Sequence, residues 1–271
     1  MTASDSGTLG QLLEVIVLTL NESGRLAECV ASVPAGVLVH VLDSGSTDGT
    51  VELARSLGLE VSSNPWPGFA AQRNYALRAC GSSEWVLFID ADETYPPEAF
   101  AELTLMITDP NLACVFVPSL LVFRGRALKH APGYPVLHPR AVRRSRVQFV
   151  PDSHGHGEAV VVEGRAQKSR TPYFHDWYQG DMPSWAAKHL DLATAESQTA
   201  STGLGLQTRR AKLSRAAGRG PHRPLLRFVY HYVFRLGFLD GSRGFEYSIM
   251  YAWYELSKYL LSKGSGPTTT P

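Results

Sequence analysis

Residues 14–20, EVIVLTL, are an unbroken apolar run rich in β-branched side chains, and predict a short buried strand. The polar turn Asn21-Glu22-Ser23-Gly24 ends it, and the spacing of Leu26, Cys29, Val30 and Val33 predicts a helix over 25–33. A second apolar run, Val37–Leu42, ends at Asp43. The turn Asp43–Thr50 then leads into a helix over 48–57, with Thr47 or Asp48 as its cap. Leu59–Ser62 predicts a third strand, 69–80 a helix, and Glu84–Asp90 a fourth strand that ends in carboxylates. Pro96-Pro97 opens a helix over 97–107.

Alternating strands and helices of this kind imply parallel βαβ units in an open sheet. In such sheets ligands bind beyond the carboxyl ends of the strands. Asn21, Asp43, Asp90 and Asp92 all follow apolar strands, and packing does not require acids and amides at so many strand ends.

The pattern changes after 113. Short β-like runs at Ala113–Pro118, Val136–Val142, Ala159–Val162 and Thr171–His175 alternate with Gly, Pro and His, and predict mixed or antiparallel strands with long loops. Residues 180–199 are helical, with Trp185, His189, Leu192 and Ala195 on one face. The expected organisation is a catalytic α/β domain over 12–199, a flexible basic loop over 200–224 and an aromatic helical extension over 225–262, broken at Gly237–Gly244. Residues 1–11 and 263–271 read as disordered tails.

Composition narrows the function classes. Of 271 residues, 44% are hydrophobic and 19% charged, so the chain can bury a core, and a net charge of +1 gives no global electrostatic case for nucleic acid. Cys29, Cys80 and Cys114 are odd in number and widely spaced, which fits small core residues in a reducing compartment rather than a disulfide framework or zinc site. No signal-peptide pattern is visible, and no apolar run reaches the ~18 residues of a spanning helix, so a cytoplasmic protein is expected. The basic residues Arg209, Arg210, Lys212, Arg215, Arg219, Arg223 and Arg227 precede an aromatic helix pattern. Such a stretch suits the inner face of an anionic membrane, and equally a helical cap on the domain or on the partner of a homodimer.

Three clusters carry candidate chemistry. Asp90-Ala91-Asp92 at a strand end can aim two carboxylates at one Mg²⁺ or Mn²⁺, hard cations that bridge a diphosphate. Thr19, Asn21 and Glu22, with Asp43, Ser44 and Gly45, form two turns where Asp43 can accept from a base or ribose and the backbone can approach a ligand. Gly68-Phe69-Ala70-Ala71-Gln72-Arg73-Asn74 offers Arg73 as a bidentate diphosphate clamp, with Asn74 to orient it. There is no phosphate loop of the GxxxxGK[ST] type, no GxGxxG and no HExxH, and His154-Gly155-His156 lacks a third metal partner.

Together Leu18–Glu22, Asp43–Thr50, Trp66–Leu77 and Trp85–Glu93 resemble family 2 glycosyltransferases of the GT-A fold, an α/β sheet of mainly parallel strands with an appended helical region. The branch that looks most similar adds glucose to the heptose of bacterial lipopolysaccharide inner core. The resemblance implies UDP-sugar binding, with Asp43 toward the uracil and Asp92 and Asp90 toward the metal, and with Ala91 and Gln72 also lining the donor site. It implies inversion by direct displacement, with a carboxylate as general base. A His-Glu pair marks that base in the branch. Here the sequence reads His156-Gly157-Glu158, with an inserted Gly, so Glu158 and Asp152 both stand as candidates. Lys129, His130 and Arg140 lie in the stretch that would face a saccharide or lipid-linked saccharide acceptor. Two further readings use the same sheet: transfer to a polyprenyl phosphate or to a capsule or exopolysaccharide acceptor, and a non-catalytic nucleotide-sugar-binding protein. A nucleotidyltransferase fits poorly, since the turn Asn21–Arg25 lacks its glycine-rich basic loop.

Overall fold

The computed structural model describes residues 12–151, 159–198 and 220–264. Contacts divide these into two units, the first over 12–120, 135–151 and 159–176, the second over 121–134, 177–198 and 220–264.

The first unit is built on β1 (Leu13–Thr19), whose seven residues are all buried. Such a strand forms only where both faces are covered, which is the situation of a parallel sheet under helices. Its side chains alternate between two cores. Leu13, Val15 and Val17 join one with Trp85, Leu87 and Ile89 of β4 (Trp85–Asp90), while Ile16 and Leu18 join the other with Val86 and Phe88. Helices α1 (Leu26–Ala31), α2 (Thr50–Ser56) and α4 (Pro97–Met106) contribute to the first core through Leu26, Ala54 and Phe100. Helix α3 (Phe69–Ala79) contributes Ala70, Ala76 and Leu77 to the second. The three cysteines are free and buried in these cores.

Strands β2 (Leu38–Asp43) and β3 (Glu60–Ser63) extend the sheet in parallel on one side of β1, and β4 pairs in parallel on the other. The strand order therefore reverses between β1 and β4, and a crevice at such a switch point is where open α/β sheets bind ligands. Thr19 pairs with Asp43 and Leu18 with Asp90, so these polar ends lie side by side. Beyond β4 the sheet turns antiparallel through β8 (Val136–Arg143), which pairs with both β4 and β6 (Leu112–Phe123). The short β5 (Glu93–Thr94) pairs antiparallel with β12 (Tyr173–Tyr178), and β9 (Val147–Val150) forms a separate ladder with β10 (Ala159–Val162). Strand β11 (Arg165–Lys168) runs parallel beside β6, and β7 (Arg126–Ala127) pairs with the end of β6 in the second unit.

In the second unit, α5 (Met182–Gln198) packs with α7 (Ser242–Gly264) around Trp177, Trp185 and Tyr247; Trp177 lies 5.1 Å from Trp185 and 5.0 Å from Tyr247, ring to ring. The boundary expected at 199 thus falls earlier, near Trp177, and α5 groups with the C-terminal helices. The expected break at Gly237–Gly244 is shorter. After α6 (Arg223–Val229) comes a π-turn, Tyr230–Phe234, then a single 3-10 turn, Gly237–Asp240, before α7 starts at Ser242. Gly244 lies inside α7 because a Cβ there would meet the carbonyl oxygen of Gly237 at 2.0 Å, so the hairpin closes only with glycine. No helix of the described residues is long and apolar enough to cross a membrane.

One charged side chain interrupts the buried strand β1. Glu14 is 2% exposed and its carboxylate accepts from Arg144 and from the Ser82 N–H at 3.1 Å. Arg144 also donates to the carbonyls of Leu77, Cys80 and Ser83, two of them in the last turn of α3 and its C-cap, where helical carbonyls lack partners. The pair pins α3, β1 and the end of β8 together. Arg144→Met leaves Glu14 buried without its cation and is expected to cost about 3–5 kcal/mol. Adding Glu14→Gln should recover part of that loss, and urea unfolding of the single and double variants measures both.

Candidate functional site

Two loops at the ends of β1 and β2 interlock through short polar side chains. Asn21 takes a left-handed backbone conformation, φ 56°, which Asn tolerates better than most residues. Its side-chain oxygen accepts from the Thr47 N–H at 2.8 Å, and its own N–H donates to Ser46 Oγ at 2.8 Å. Glu22 N–H donates to Thr50 Oγ1 and Ser23 N–H to Asp48 Oδ2. Asp48, one residue before the Gly49 cap of α2, accepts from the Thr50 N–H at 3.1 Å.

Asp43 organises the second loop. Its carboxylate accepts from Thr19 Oγ1 at 3.0 Å, from the N–H groups of Gly45 and Ser46 at 2.8 Å each, and from Ser46 Oγ at 2.5 Å. Four donors occupy the roughly four lone-pair positions of a carboxylate. Burial pushes the Asp43 carboxyl up, but these bonds, led by Ser46, outweigh it and hold the group below the ordinary carboxylate range. Ser44 N–H donates to the Thr19 carbonyl at 2.9 Å, and Ser44 Oγ accepts from Gln72, while Gly45 is exposed. Gln72 is fully buried and also bonds Asn64, so it braces the loop from beneath.

The acid motif at the end of β4 divides its carboxylates between different partners. Asp90 accepts from Arg73 Nη2 at 3.2 Å and from Arg140 Nη2 at 3.0 Å. Both arginines are buried, Arg73 at 1% and Arg140 at 2% exposure, and Arg73 lies 5.9 Å from the Phe88 ring and 5.8 Å from the Phe149 ring. Arg140 also contacts Glu93 at 2.5 Å and the Tyr173 hydroxyl at 3.1 Å. Burial pushes the Glu93 carboxyl up to about 8, against the pull of Arg140. Ala91 is buried and its N–H donates to the Leu18 carbonyl at 3.2 Å.

Asp92 faces elsewhere. Strand β12 pairs His175 with Glu93, and the Asp176 N–H donates to the Asp92 carbonyl at 2.8 Å. This brings His175 Nε2 to 3.5 Å from Asp92 Oδ2. Desolvation pulls the His175 pKa down, but Asp92 and the neighbouring acids raise it to about 8. Arg25 Nη1 stands 3.7 Å from both Asp92 and Glu22, and its side chain is 25% exposed. Among the described residues no group of three or more His, Cys, Asp and Glu side chains is arranged to hold a metal. A carboxylate and an imidazole converging as Asp92 and His175 do nonetheless suit Mn²⁺ better than Mg²⁺, which prefers an all-oxygen shell, provided the imidazole gives up its proton. Asp90 fits less well, because two guanidiniums already neutralise it.

Set against the sequence, several expected residues lie deeper than expected. Arg73 clamps Asp90 rather than an exposed diphosphate, and Asn74 bonds the backbone of Phe149 in both directions, at 2.8 and 2.9 Å. Arg140 is not a surface cation awaiting an acceptor, since Asp90, Glu93 and Tyr173 hold it in the buried cluster. Lys129 and His130 belong to the second unit, where their N–H groups donate to Asp240 at 3.1 and 3.0 Å. Glu158 and Asp152, with His154 and His156, lie outside the described residues, as do Arg209 through Arg219. His175 and Arg25 have no place in the sequence motifs; the only hint of the first is a His-Asp pair inside the aromatic strand Tyr173–Tyr178.

The loop network sets a pH dependence. Burial raises the Asp48 pKa, but hydrogen bonds led by Thr50, then Ser23, lower it to about 2, below the roughly 3.9 of an unfolded chain. The stability it contributes is therefore present above about pH 4 and is lost as pH falls through about 2. Asp48→Asn should lower the unfolding midpoint at neutral pH, and the gap to wild type should close as pH falls across that window in thermal melts monitored by circular dichroism.

Comparison with known proteins agrees with this architecture. The chain matches the model of glycosyl transferase family 2 over residues 14–160, more than half its length. It is 35% identical over 117 residues to an uncharacterised glycosyltransferase of Rickettsia prowazekii, covering 42% of this chain and 40% of that protein. It is 37% identical over 86 residues to the lipopolysaccharide core biosynthesis glycosyltransferase LpsC of Rhizobium meliloti, covering 30% of this chain and 32% of that one. The chain therefore spans less than half the length of either relative. The crystal structure of S. aureus TarS residues 1–349 in complex with UDP-GlcNAc shares the fold, with a TM-score of 0.50 at 15% identity over 93% of this chain and 91% of that one. The strand-end acids at the β1–β4 switch point, the sheet that carries them and the family match lead to one conclusion: the chain belongs to glycosyl transferase family 2 and has the GT-A fold.

Proposed function

We propose that this chain is an inverting, metal-assisted transferase that moves a hexose, glucose by its resemblance to the lipopolysaccharide inner-core branch, from a UDP-sugar to a lipid-linked bacterial glycan at the cytoplasmic face of the inner membrane. The observation that carries the reading is the convergence of Asp92 and His175, 83 positions apart, beside an Asp90 already fixed by two buried arginines. The similarity to LpsC supports the acceptor class.

In this reading Asp92 and His175 hold the divalent cation, which when bound neutralises charge on the departing diphosphate. The chain's own groups do the rest. Asn21 and the Asp43–Thr50 loop form the nucleoside side of the site. Its rigid backbone offers C=O groups to the base and ribose, while its N–H groups are spent on Asp43 and Asn21, which keep that backbone in shape. Arg25, the partly exposed guanidinium near Asp92, supplies the cation that meets the diphosphate. Glu22, 3.7 Å from Arg25, keeps that cation in place until the donor arrives. The acceptor hydroxyl oxygen attacks the anomeric carbon, the carbon–oxygen bond to UDP breaks with inversion, and the hydroxyl proton passes to a carboxylate, Glu158 or Asp152.

Calorimetry with UDP-glucose, UDP-galactose, UDP-N-acetylglucosamine and GDP-mannose, with and without Mn²⁺, tests the donor half. One UDP-sugar should bind in a metal-dependent way, and Asp92→Ala or His175→Ala should weaken it by about 10- to 100-fold. Binding that ignores both substitutions removes the metal assignment. If no nucleotide sugar binds at all, the transferase reading is lost. Arg25→Ala should weaken UDP itself by about tenfold, in line with the loss of one charged hydrogen bond.

A further inference from the structure

The α6–α7 hairpin of the second unit ends in a tip that turns apolar side chains outward. Phe234 is 74% exposed and Leu239 57%, and Val233, Leu236 and Phe238 between and beside them are close to half exposed. Phe238, Tyr232 and Phe245 continue the surface at ring separations of 6.3 and 5.5 Å. Along α7 the exposed Phe245, Ile249, Leu256 and Leu260 recur at helical spacing, so one stripe of that helix prolongs the patch. Scattered exposed apolar residues need no account, whereas a contiguous patch does.

The tip is built rather than frayed. Leu236 holds a left-handed conformation, φ 58°, which costs a branched side chain energy and persists only where the surroundings impose it. A π-turn precedes it, and such turns collect at functional positions. Asp240 accepts from the N–H groups of Lys129, His130 and Ala131, while His231 Nδ1 meets the Ala131 carbonyl at 2.7 Å. The fold thus spends polar contacts to keep an apolar tip displayed.

The charge around the tip identifies its partner. Among the described residues 220–264 there are six Lys and Arg, Arg223, Arg227, Arg235, Arg243, Lys258 and Lys263, against three acids, Asp240, Glu246 and Glu255. Asp240 is occupied by backbone N–H groups and Glu246 by Arg124 at 3.2 Å. Farther along the hairpin's two helices the buried Glu255 is shared by Arg223, Arg227 and Lys258, so the cations outnumber their counter-ion, and Arg235 and Arg243 stand next to the tip in sequence. Apolar side chains on a rigid hairpin, set in positive charge, match the headgroup boundary of an anionic bilayer. We infer that the 233–239 tip docks this protein on anionic membrane, with Phe234 and Leu239 inserted and Arg235 and Arg243 against lipid phosphates. The inference deepens the proposed membrane location and needs neither the donor nor the acceptor to be right.

The test is co-sedimentation of the full chain with vesicles of phosphatidylcholine alone and of phosphatidylcholine with phosphatidylglycerol. Binding should favour the anionic vesicles and fall with salt, and the double variant Phe234→Ser, Leu239→Ser should bind at least about tenfold more weakly. Both positions are solvent-exposed, so circular dichroism should show the variant folded. Because Cys29, Cys80 and Cys114 are buried, Val233→Cys can be labelled selectively with a polarity-sensitive dye, whose emission should shift to the blue on anionic vesicles only. Absence of binding, or binding that survives the double substitution, overturns the inference; the latter assigns it to the basic segment alone. A dimer in gel filtration that the double variant dissociates, with no vesicle binding, overturns it in favour of a second copy. UDP-sugar calorimetry on the same variant separates a failure here from a failure of the donor site.

Discussion

The shared carboxylate of Asp90 holds the first unit's chemistry in place. It receives Arg73 from α3 and Arg140 from β8, and Arg140 carries the connection on to Glu93 and to Tyr173 of β12. Buried cations of this kind are costly unless every charge is answered, so the cluster fixes where α3, β4, β8 and β12 stand relative to one another. Because β12 is held there, His175 reaches Asp92. An acid at the start of the motif thereby serves as architecture, leaving the acid two residues on to meet His175.

The same division of labour runs through the loops. Asp43 and Gln72 look like ligand-contacting groups, yet both spend their hydrogen bonds on neighbouring protein. What they present is a backbone conformation. Preorganised backbone of this sort lets a site bind a ligand without ordering a loop at the same moment, and that lowers the cost of association.

The parallel half of the fold was legible because its strands are buried on both faces and leave continuous apolar runs, such as EVIVLTL, with polar punctuation at each end. The antiparallel half was read only as fragments. The last part of β6, Ser119–Phe123, continues past Pro118, which looked like a strand end, and β5 has just two residues. In the site, local motifs pointed to Asp90, Asp92 and the Asp43 loop, since strand-end acids have no packing explanation. They did not separate a side chain that touches ligand from one that supports its neighbour: Arg73, Asn74 and Arg140 carry the same residue types in either role. His175 was invisible for a different reason. Its position depends on the pairing of β12 with β5, a contact between distant segments that no short pattern encodes.

The interlock of the two loops has a consequence for variation. Asn21 with Thr47, Glu22 with Thr50 and Ser23 with Asp48 are reciprocal bonds, each made between a backbone group on one loop and a side chain on the other. A substitution on either side strands its opposite number, so their effects will not add, and the eleven or so residues behave as one inherited unit. Relatives should therefore differ from this chain in both loops together or in neither, and a grafted loop will keep its conformation only when the two travel as a pair.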